Sequence, residues 1–332
     1  MVKLKTVQDY KQGLLEGKRT ALAQAITLIE SKAPKHKVIA QQLIKEIYPH
    51  TGHSVRIGFT GVPGAGKSTL IDKFGSYLCK NGHSVAVLAV DPSSTLSGGS
   101  ILGDKTRMEL LTKQENAFVR PSPSQGTLGG VHLKTREAIF LCEAAGYNII
   151  FVETMGVGQG EMIVKEMVDF FVLLALTGAG DDLQGIKKGL LEWVNLICVN
   201  KADGDNRLKA EVTAKEYESV IGFLHGHSGG WNPQVITTSA YEEASFQDLW
   251  KIICDYKEWM NKNDLFYAVR QKQMKAWLQA SVNEYLQESF YEHPLVKQTL
   301  GDVEKQMMTG DVTMAEALEH LIKIYQQAMK EI

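Results

Sequence analysis

Gly61-Val62-Pro63-Gly64-Ala65-Gly66-Lys67-Ser68 matches the pattern GxxxxGK[ST] without deviation. Glycines in such a loop let consecutive backbone N–H groups turn inward on phosphate oxygens, and the helix that follows adds the positive potential of its N-terminus. Lys67 is expected to reach the β- and γ-phosphates of a nucleotide and Ser68 to ligate Mg²⁺, with Thr69 beside them at the helix start. Farther along, Val199-Asn200-Lys201-Ala202-Asp203 carries an NKxD tetrapeptide. An aspartate there accepts hydrogen bonds from the guanine N1–H and the exocyclic amine, a donor pair that adenine lacks. Asn200 and Lys201 are expected to hold the loop and flank the base. Ser239-Ala240 follows a later apolar run and fits a short backbone loop supporting that base.

Acidic residues stand between these two motifs. Ile149-Ile150-Phe151-Val152-Glu153 is an apolar run ending in a carboxylate, where a P-loop protein carries the acid that orients Mg²⁺ or its water. The following Thr154–Gln159 segment reads either as a helix N-cap region or as a nucleotide-sensing switch; Gly156 and Gly158 favour the switch because they permit movement beside the γ-phosphate. Asp91 opens a long Ser/Gly-rich stretch ending at Gly103-Asp104-Lys105-Thr106-Arg107, a composition that suits a loop ordered by nucleotide and metal. Asp91 and Asp104 read as metal-shell ligands, or as caps of a helix over Lys105–Leu111, and the two roles are compatible. A third glycine-laden loop, Thr177–Gly189, reads either as a loop with solvated lysines or as a functional segment. The second is the expectation, because it brings Lys187 or Lys188 to the edge where the phosphates lie.

The elements that must position these groups are legible as a change of texture. Residues 1–50 show apolar positions at helical spacing, including Leu14, Leu22, Ile26, Ile29, Leu43 and Ile47. From Ser54 onward short apolar runs alternate with helical stretches: Val55–Thr60, Val85–Val90, Ala117–Val119, Ile149–Val152, Phe170–Leu176, Leu196–Val199 and Val235–Thr238. That alternation predicts an α/β fold with a mostly parallel central sheet covered on both faces. No strand is expected after Ser239. Leu249–Trp259 reads as a helix, and apolar stripes run over Met274–Phe290 and Met314–Met329. Pro294 and the neighbourhoods of Gly301 and Gly310 are expected to interrupt this tail. Its stripes must be covered either by the parent domain or by a second copy of the chain. The expected division is a helical extension over 1–50, a nucleotide-binding domain over 51–262 and a helical arm over 263–332.

Composition excludes several classes. Of 332 residues 44% are hydrophobic and 22% charged, and Lys+Arg 36 against Asp+Glu 38 leaves a formal net charge of -2, so no bulk electrostatics draw the chain to nucleic acid. No apolar run approaches bilayer length, and the N-terminus has neither the apolar core of a secretory signal nor an Arg-rich, acid-poor transit composition. Cytoplasmic residence is the expectation. Cys79, Cys142, Cys198 and Cys254 are far apart, outside any metal-ligand spacing, and read as buried thiols.

Taken together, the motifs GVPGAGKST, VDPSS, GDKTRM, ETMGVGQ, GAGDDLQGIKKG and NKAD, in this order, resemble the methylmalonyl-CoA mutase-associated G protein family (MeaB/MMAA), older descriptions of which speak of a lysine/arginine/ornithine transport kinase. The resemblance covers nearly the whole chain. It implies a P-loop NTPase of the SIMIBI type with N-terminal helices and a C-terminal dimerising arm. It also implies GTP/GDP and Mg²⁺ as ligands, slow hydrolysis stimulated by a partner, a homodimer, and an adenosylcobalamin-dependent methylmalonyl-CoA or related acyl-CoA mutase as that partner. By the same resemblance Lys67 and Ser68 serve phosphate and metal, Asp91, Asp104 and Glu153 form the metal and switch regions, Asp203 reads guanine, and Thr177–Gly189 is a third switch whose Lys187 moves toward the nucleotide. The family's task is to gate loading, protection and reactivation of the mutase. Thr177, Asp182 and Met155 depart from the family's usual Pro, Glu and Val, and none of these removes a charged ligand. A nickel-insertion GTPase is the alternative that thinly spread Cys and His residues disfavour, and a small-molecule kinase the one that NKAD disfavours.

Overall fold

The computed structural model describes residues 5–31, 33–90, 108–120, 128–154, 160–178, 188–225 and 230–329. The chain forms two compact units, Met1–Gln273 and Met274–Ile332.

The first unit opens with helices α1 (Val7–Leu15), α2 (Arg19–Glu30) and α3 (Pro34–Ile47). Thr6 and Asp9 close a capping box on α1, and Pro34 sits at the start of α3, where its missing N–H costs nothing. Leu14, Leu22, Ile26, Ile29, Leu43 and Ile47 are fully buried among these helices and the covering layer of the sheet. Each such side chain contributes about 1.5–3 kcal/mol by leaving water.

Seven strands follow among the described residues: β1 (Val55–Gly61), β2 (Val85–Val90), β3 (Ala117–Arg120), β4 (Ile149–Thr154), β5 (Phe170–Ala175), β6 (Leu196–Val199) and β7 (Gln234–Thr237). They pair in the order β3-β2-β4-β1-β5-β6-β7, and every pairing is parallel. Each expected strand is present. Between them lie α4 (Lys67–Lys80), α5 (Glu109–Thr112), α6 (Leu128–Ala144), α7 (Gly160–Lys165), α8 (Lys188–Trp193) and α9 (Arg207–His225). From β1 the chain moves through β2 to β3 at one edge, and from β5 through β6 to β7 at the other. The carboxyl ends of the central strands β1 and β4 therefore border the crevice where a doubly wound sheet takes its ligand.

One face of the sheet is sealed by alternate residues. Val55, Ile57 and Phe59 of β1, with Phe151, Phe170 and Val172, join Leu70, Phe74 and Leu78 of α4 and Phe246, Leu249 and Ile253 of α10 (Glu243–Lys262). The Phe74 and Phe151 rings stack with centroids 5.6 Å apart. On the other face α7 presses close to β1, where a methyl group on Gly58 would meet Val164, Val168 and Phe171.

Two ion pairs clamp the amino edge of the sheet. Arg56 grips Glu143 with Nε and Nη2 at 2.9 and 3.0 Å. Arg270, early in α11 (Leu265–Tyr291), donates to both Asp169 oxygens at 2.8 and 2.7 Å and to the carbonyls of Gly52 and Ser54. Burial works against the Arg270 cation, yet the Asp169 carboxylate outweighs it and the guanidinium pKa stands above its ordinary value.

The second unit contains the rest of α11, α12 (Pro294–Thr309) and α13 (Met314–Ala328). Gly301 does not interrupt the tail; it lies inside α12, which runs unbroken from Pro294 until Gly310 turns left-handed at its end. An isolated interior glycine costs only about 1 kcal/mol relative to alanine, and Val296 and Val303 offset it by packing against Ala317 and Leu321 of α13. Leu278, Val282, Tyr285 and Leu286 of α11, and Met314, Leu318 and Ile322 of α13, remain exposed in the chain.

Candidate nucleotide-binding site

The phosphate loop leaves the carboxyl end of β1 and enters α4. Gly61 has φ +149, and a Cβ there would stand 2.3 Å from the Leu174 carbonyl oxygen, so the loop tolerates no side chain at its first position. Gly66 caps α4 in the left-handed region at φ +85, aiming the helix's first N–H groups at the loop's concavity. Lys67 is the first helical residue, and its ammonium group donates to the carbonyls of Gly61 and Val62 at 2.7 and 3.2 Å. Burial pushes its pKa down, while the carboxylates of Glu153 and Glu161 oppose that shift.

Ser68 and Glu153 come together. Ser68 Oγ donates to Glu153 Oε1 at 2.8 Å, and Glu153 is buried near the end of β4, in register with Phe59 of β1 and Ala89 of β2. A hydroxyl and a carboxylate at this spacing beside a phosphate loop are hard oxygen donors of the kind Mg²⁺ takes. Asp91, Asp104 and Lys187 lie outside the described residues. The described helix after Asp104 is α5; the first part of the expected Lys105–Leu111 helix lies outside the described residues, and Asp72 of α4 accepts from the Leu110 and Leu111 amides at 3.3 and 2.7 Å.

The base-reading motif is joined physically to the phosphate loop. Asn200, buried after β6, donates from Nδ2 to the Ala65 carbonyl at 2.8 Å and accepts from Thr238 Oγ1 at 3.2 Å. A Cβ on Gly66 would lie 2.7 Å from that Nδ2 and 3.8 Å from Lys201 Cε. Lys201 itself adopts φ +61, and its carbonyl is held by Asn206 Nδ2 at 2.7 Å. Asp203 accepts a 2.7 Å hydrogen bond from Ser239 Oγ, which in turn accepts from the Tyr241 amide at 3.1 Å. The Ser239 amide donates to Ser245 Oγ, and Ala240 is buried beside it. Gly61 to Thr69, Glu153, Asn200 to Asp203 and Ser239-Ala240 are thus gathered at the carboxyl ends of β1, β4, β6 and β7.

The start of the third glycine-rich loop is tied to the same edge. Thr177 Oγ1 donates to Asn206 Oδ1 at 2.9 Å, and the Gly178 amide reaches Thr213 of α9 at 3.4 Å. Sequence reasoning passed over Glu161, which is buried in the first turn of α7 within electrostatic reach of Lys67. The one available signal was an acid at the start of a helical run just after the Gly156–Gly160 stretch. Thr60 and Thr154, whose hydroxyls lie 3.1 Å apart between β1 and β4, carried no signal at all.

A phosphate loop on a parallel sheet, a hydroxyl–carboxylate pair at its edge and an NKxD loop bonded to it define a P-loop GTPase. The chain belongs to the family described as methylmalonyl Co-A mutase-associated GTPase MeaB, which it matches over residues 22–294. It is 46% identical to a "Putative GTPase" of Caulobacter vibrioides, over 98% of this chain and 99% of that protein. It is 42% identical to the mouse (Mus musculus) protein "Methylmalonic aciduria type A homolog, mitochondrial", over 94% of this chain and 78% of that one. A solved structure described as "LAO/AO transport system kinase" superposes with a TM-score of 0.75 at 35% identity, covering 98% and 99% of the two chains. The protein is a GTPase that binds guanine nucleotides. Among the described residues no helix is long and apolar enough to cross a membrane.

Proposed function

We propose that this GTPase gates the loading, protection and reactivation of an adenosylcobalamin-dependent acyl-CoA mutase, methylmalonyl-CoA mutase or a relative of it. Family membership over residues 22–294 supports the partner class. The observation that supports the switching part is the bond from Asn200 to Ala65, which joins the base-reading loop to the phosphate loop, so that a change at the phosphates is passed to the base-reading edge.

In this reading the N–H groups of Gly64 to Ser68 hold the β- and γ-phosphates, Lys67 swings from the Gly61 and Val62 carbonyls onto phosphate oxygens, and Asp203 selects guanine with Asn200, Lys201, Ser239 and Ala240 in support. Ser68 and Glu153, with Asp91 and Asp104, would hold Mg²⁺. When bound, the ion neutralises charge on the phosphates and orients the water shell. Glu153 accepts the Ser68 hydroxyl proton and leaves the Ser68 oxygen's lone pairs free for a cation. Lys67 is the one cation within Gly61 to Ser68, and hydrolysis is slow until the partner acts on Thr177–Gly189 and brings Lys187 to the nucleotide, where it adds to the stabilisation of transition-state charge. The exposed apolar residues of α11 and α13 support a homodimer built by the tail, and the buried free thiols Cys79, Cys142 and Cys198 suit a reducing cytoplasm.

The test is GTP turnover by the purified chain titrated with an adenosylcobalamin-dependent acyl-CoA mutase, alongside size-exclusion co-elution in the presence of a non-hydrolysable GTP analogue. The expected result is a stable complex and stimulation of at least about tenfold, a floor set well under the ~10³–10⁵-fold that one added cation contributes in other GTPases. Unchanged turnover together with separate elution refutes the gating role.

A further inference from the structure

Tyr241 is among the most exposed large side chains of the first unit, at 77%, yet its ring is engaged: Lys73 Nζ lies 3.7 Å from the ring centroid. Lys73 belongs to α4, the helix whose first residues grip the phosphates, and Tyr241 directly follows the Ser239-Ala240 pair of the base-reading edge. The Tyr241 amide also donates to Ser239 Oγ, the same oxygen that donates to Asp203. Three residues farther on from Glu243, Phe246 packs on Phe74 and Tyr77, again residues of α4. The segment from Ser239 to Phe246 is therefore moored to the phosphate-binding helix at two points. One is buried and aromatic, the other a surface cation–π contact.

We propose that Lys73 and Tyr241 are positioning residues for guanine recognition, a latch that fixes the 239–241 loop to α4 and so sets where Asp203 and the Ala240 amide stand relative to the phosphate loop. The inference rests on the reading of Asp203 as the guanine selector. It extends that reading to residues that touch neither the phosphates nor the metal ligands. The buried mooring explains why the loop folds. The surface latch has no such necessity, because an exposed ring covers no core and fills no cavity, and what it constrains is the span between two halves of one ligand site.

The experiment measures equilibrium affinities for GTP, ITP and ATP in the full chain and in Tyr241→Ala, Lys73→Met and Tyr241→Phe. ITP keeps the guanine carbonyl but lacks the exocyclic amine that Asp203 receives. Losing an exposed cation–π contact weakens what depends on it by about two- to fivefold. Tyr241→Ala and Lys73→Met are each expected to lose GTP affinity by that factor, with a smaller loss for ITP and none for ATP. Tyr241→Phe, which keeps the ring, retains the original values, and the Tyr241→Ala/Lys73→Met double variant is no weaker than either single one. The latch is overturned if the GTP-to-ITP ratio stays constant in both single variants, or if Tyr241→Phe falls with Tyr241→Ala. The underlying guanine reading fails separately, if Asp203→Asn leaves the preference for GTP over ATP and ITP intact.

Discussion

Replacing Gly66 with alanine tests the coupling between the two halves of the site. The new methyl stands 2.7 Å from Asn200 Nδ2 on a backbone at φ +85. An L-residue held in the left-handed region costs about 1–2 kcal/mol. Relief of the clash requires the Asn200 amide to withdraw from the Ala65 carbonyl, and a buried acceptor left without its donor costs about 1–3 kcal/mol. The native state is therefore expected to lose about 2–5 kcal/mol, a large part of the ~5–15 kcal/mol that holds a domain folded. The displaced amide alone amounts to one lost hydrogen bond, and the strained loop backbone adds to it, so GTP affinity is expected to fall by at least about tenfold. Urea unfolding followed by tryptophan fluorescence reads the first quantity, and titration with a fluorescent GTP analogue the second. Shortening the neighbour in Gly66→Ala/Asn200→Ser makes room for the methyl, so the double variant should lose less than the single losses added together. An unchanged urea midpoint with GTP affinity within about twofold of the original refutes the argument, because neither strain nor clash is then being borne.

Asp203→Asn is expected to shift preference from GTP toward xanthosine triphosphate, since xanthine presents a carbonyl where guanine has its amine; competition binding of the two nucleotides measures it, and an unchanged preference refutes it. Lys187→Ala should keep GTP affinity while losing most of the mutase's stimulation of turnover, read by phosphate release with and without the partner, and full stimulation excludes that lysine as the activating cation. Lys165 is pushed down to about 8 from the ordinary 10.5 by burial, against the opposing pull of Asp169. Its folded pKa is thus below its unfolded one, the unfolded chain binds more protons between these values, and stability should rise with pH from about 8 to about 10.5. Lys165→Met should remove that rise and stabilise the chain at pH 7 by about 1–3 kcal/mol, as followed by urea midpoints across the pH range.

Strands buried on both faces show in sequence as near-continuous apolar runs, which is why Val85–Val90 and Phe170–Ala175 stand where composition puts them. The phosphate loop was legible because its chemistry is local: Gly61 to Ser68 is one contiguous stretch whose glycines do what only glycine can. What sequence did not reveal was whatever depends on distant partners. Nothing near Lys73 announces Tyr241, and nothing near Asp169 announces Arg270, because those pairs exist only after the sheet has closed. Gly301 misled for the opposite reason. A local helix-breaking preference worth about 1 kcal/mol was overridden by helix packing that the local sequence does not display. Thr60 and Thr154 face each other across β1 and β4 and carry no periodic or compositional mark.

The four hydrogen bonds that Arg270 makes to Asp169, Gly52 and Ser54 change what a cut in the chain does. The turn between α10 and α11, where Asp264 sits at φ +56, is the sort of exposed tip that proteases open. Severing it breaks a covalent bond without releasing the piece that follows, since the start of α11 still carries the cation that a buried carboxylate needs. Dissociation of that piece would strand Asp169 as a lone charge at the entrance to β5, at a cost of about 3–5 kcal/mol. A nicked molecule thus runs as two bands on a denaturing gel and as one particle in native buffer. For anyone transplanting this GTPase onto another scaffold, the retained piece must run past Arg270 rather than stop at the more inviting turn before α11.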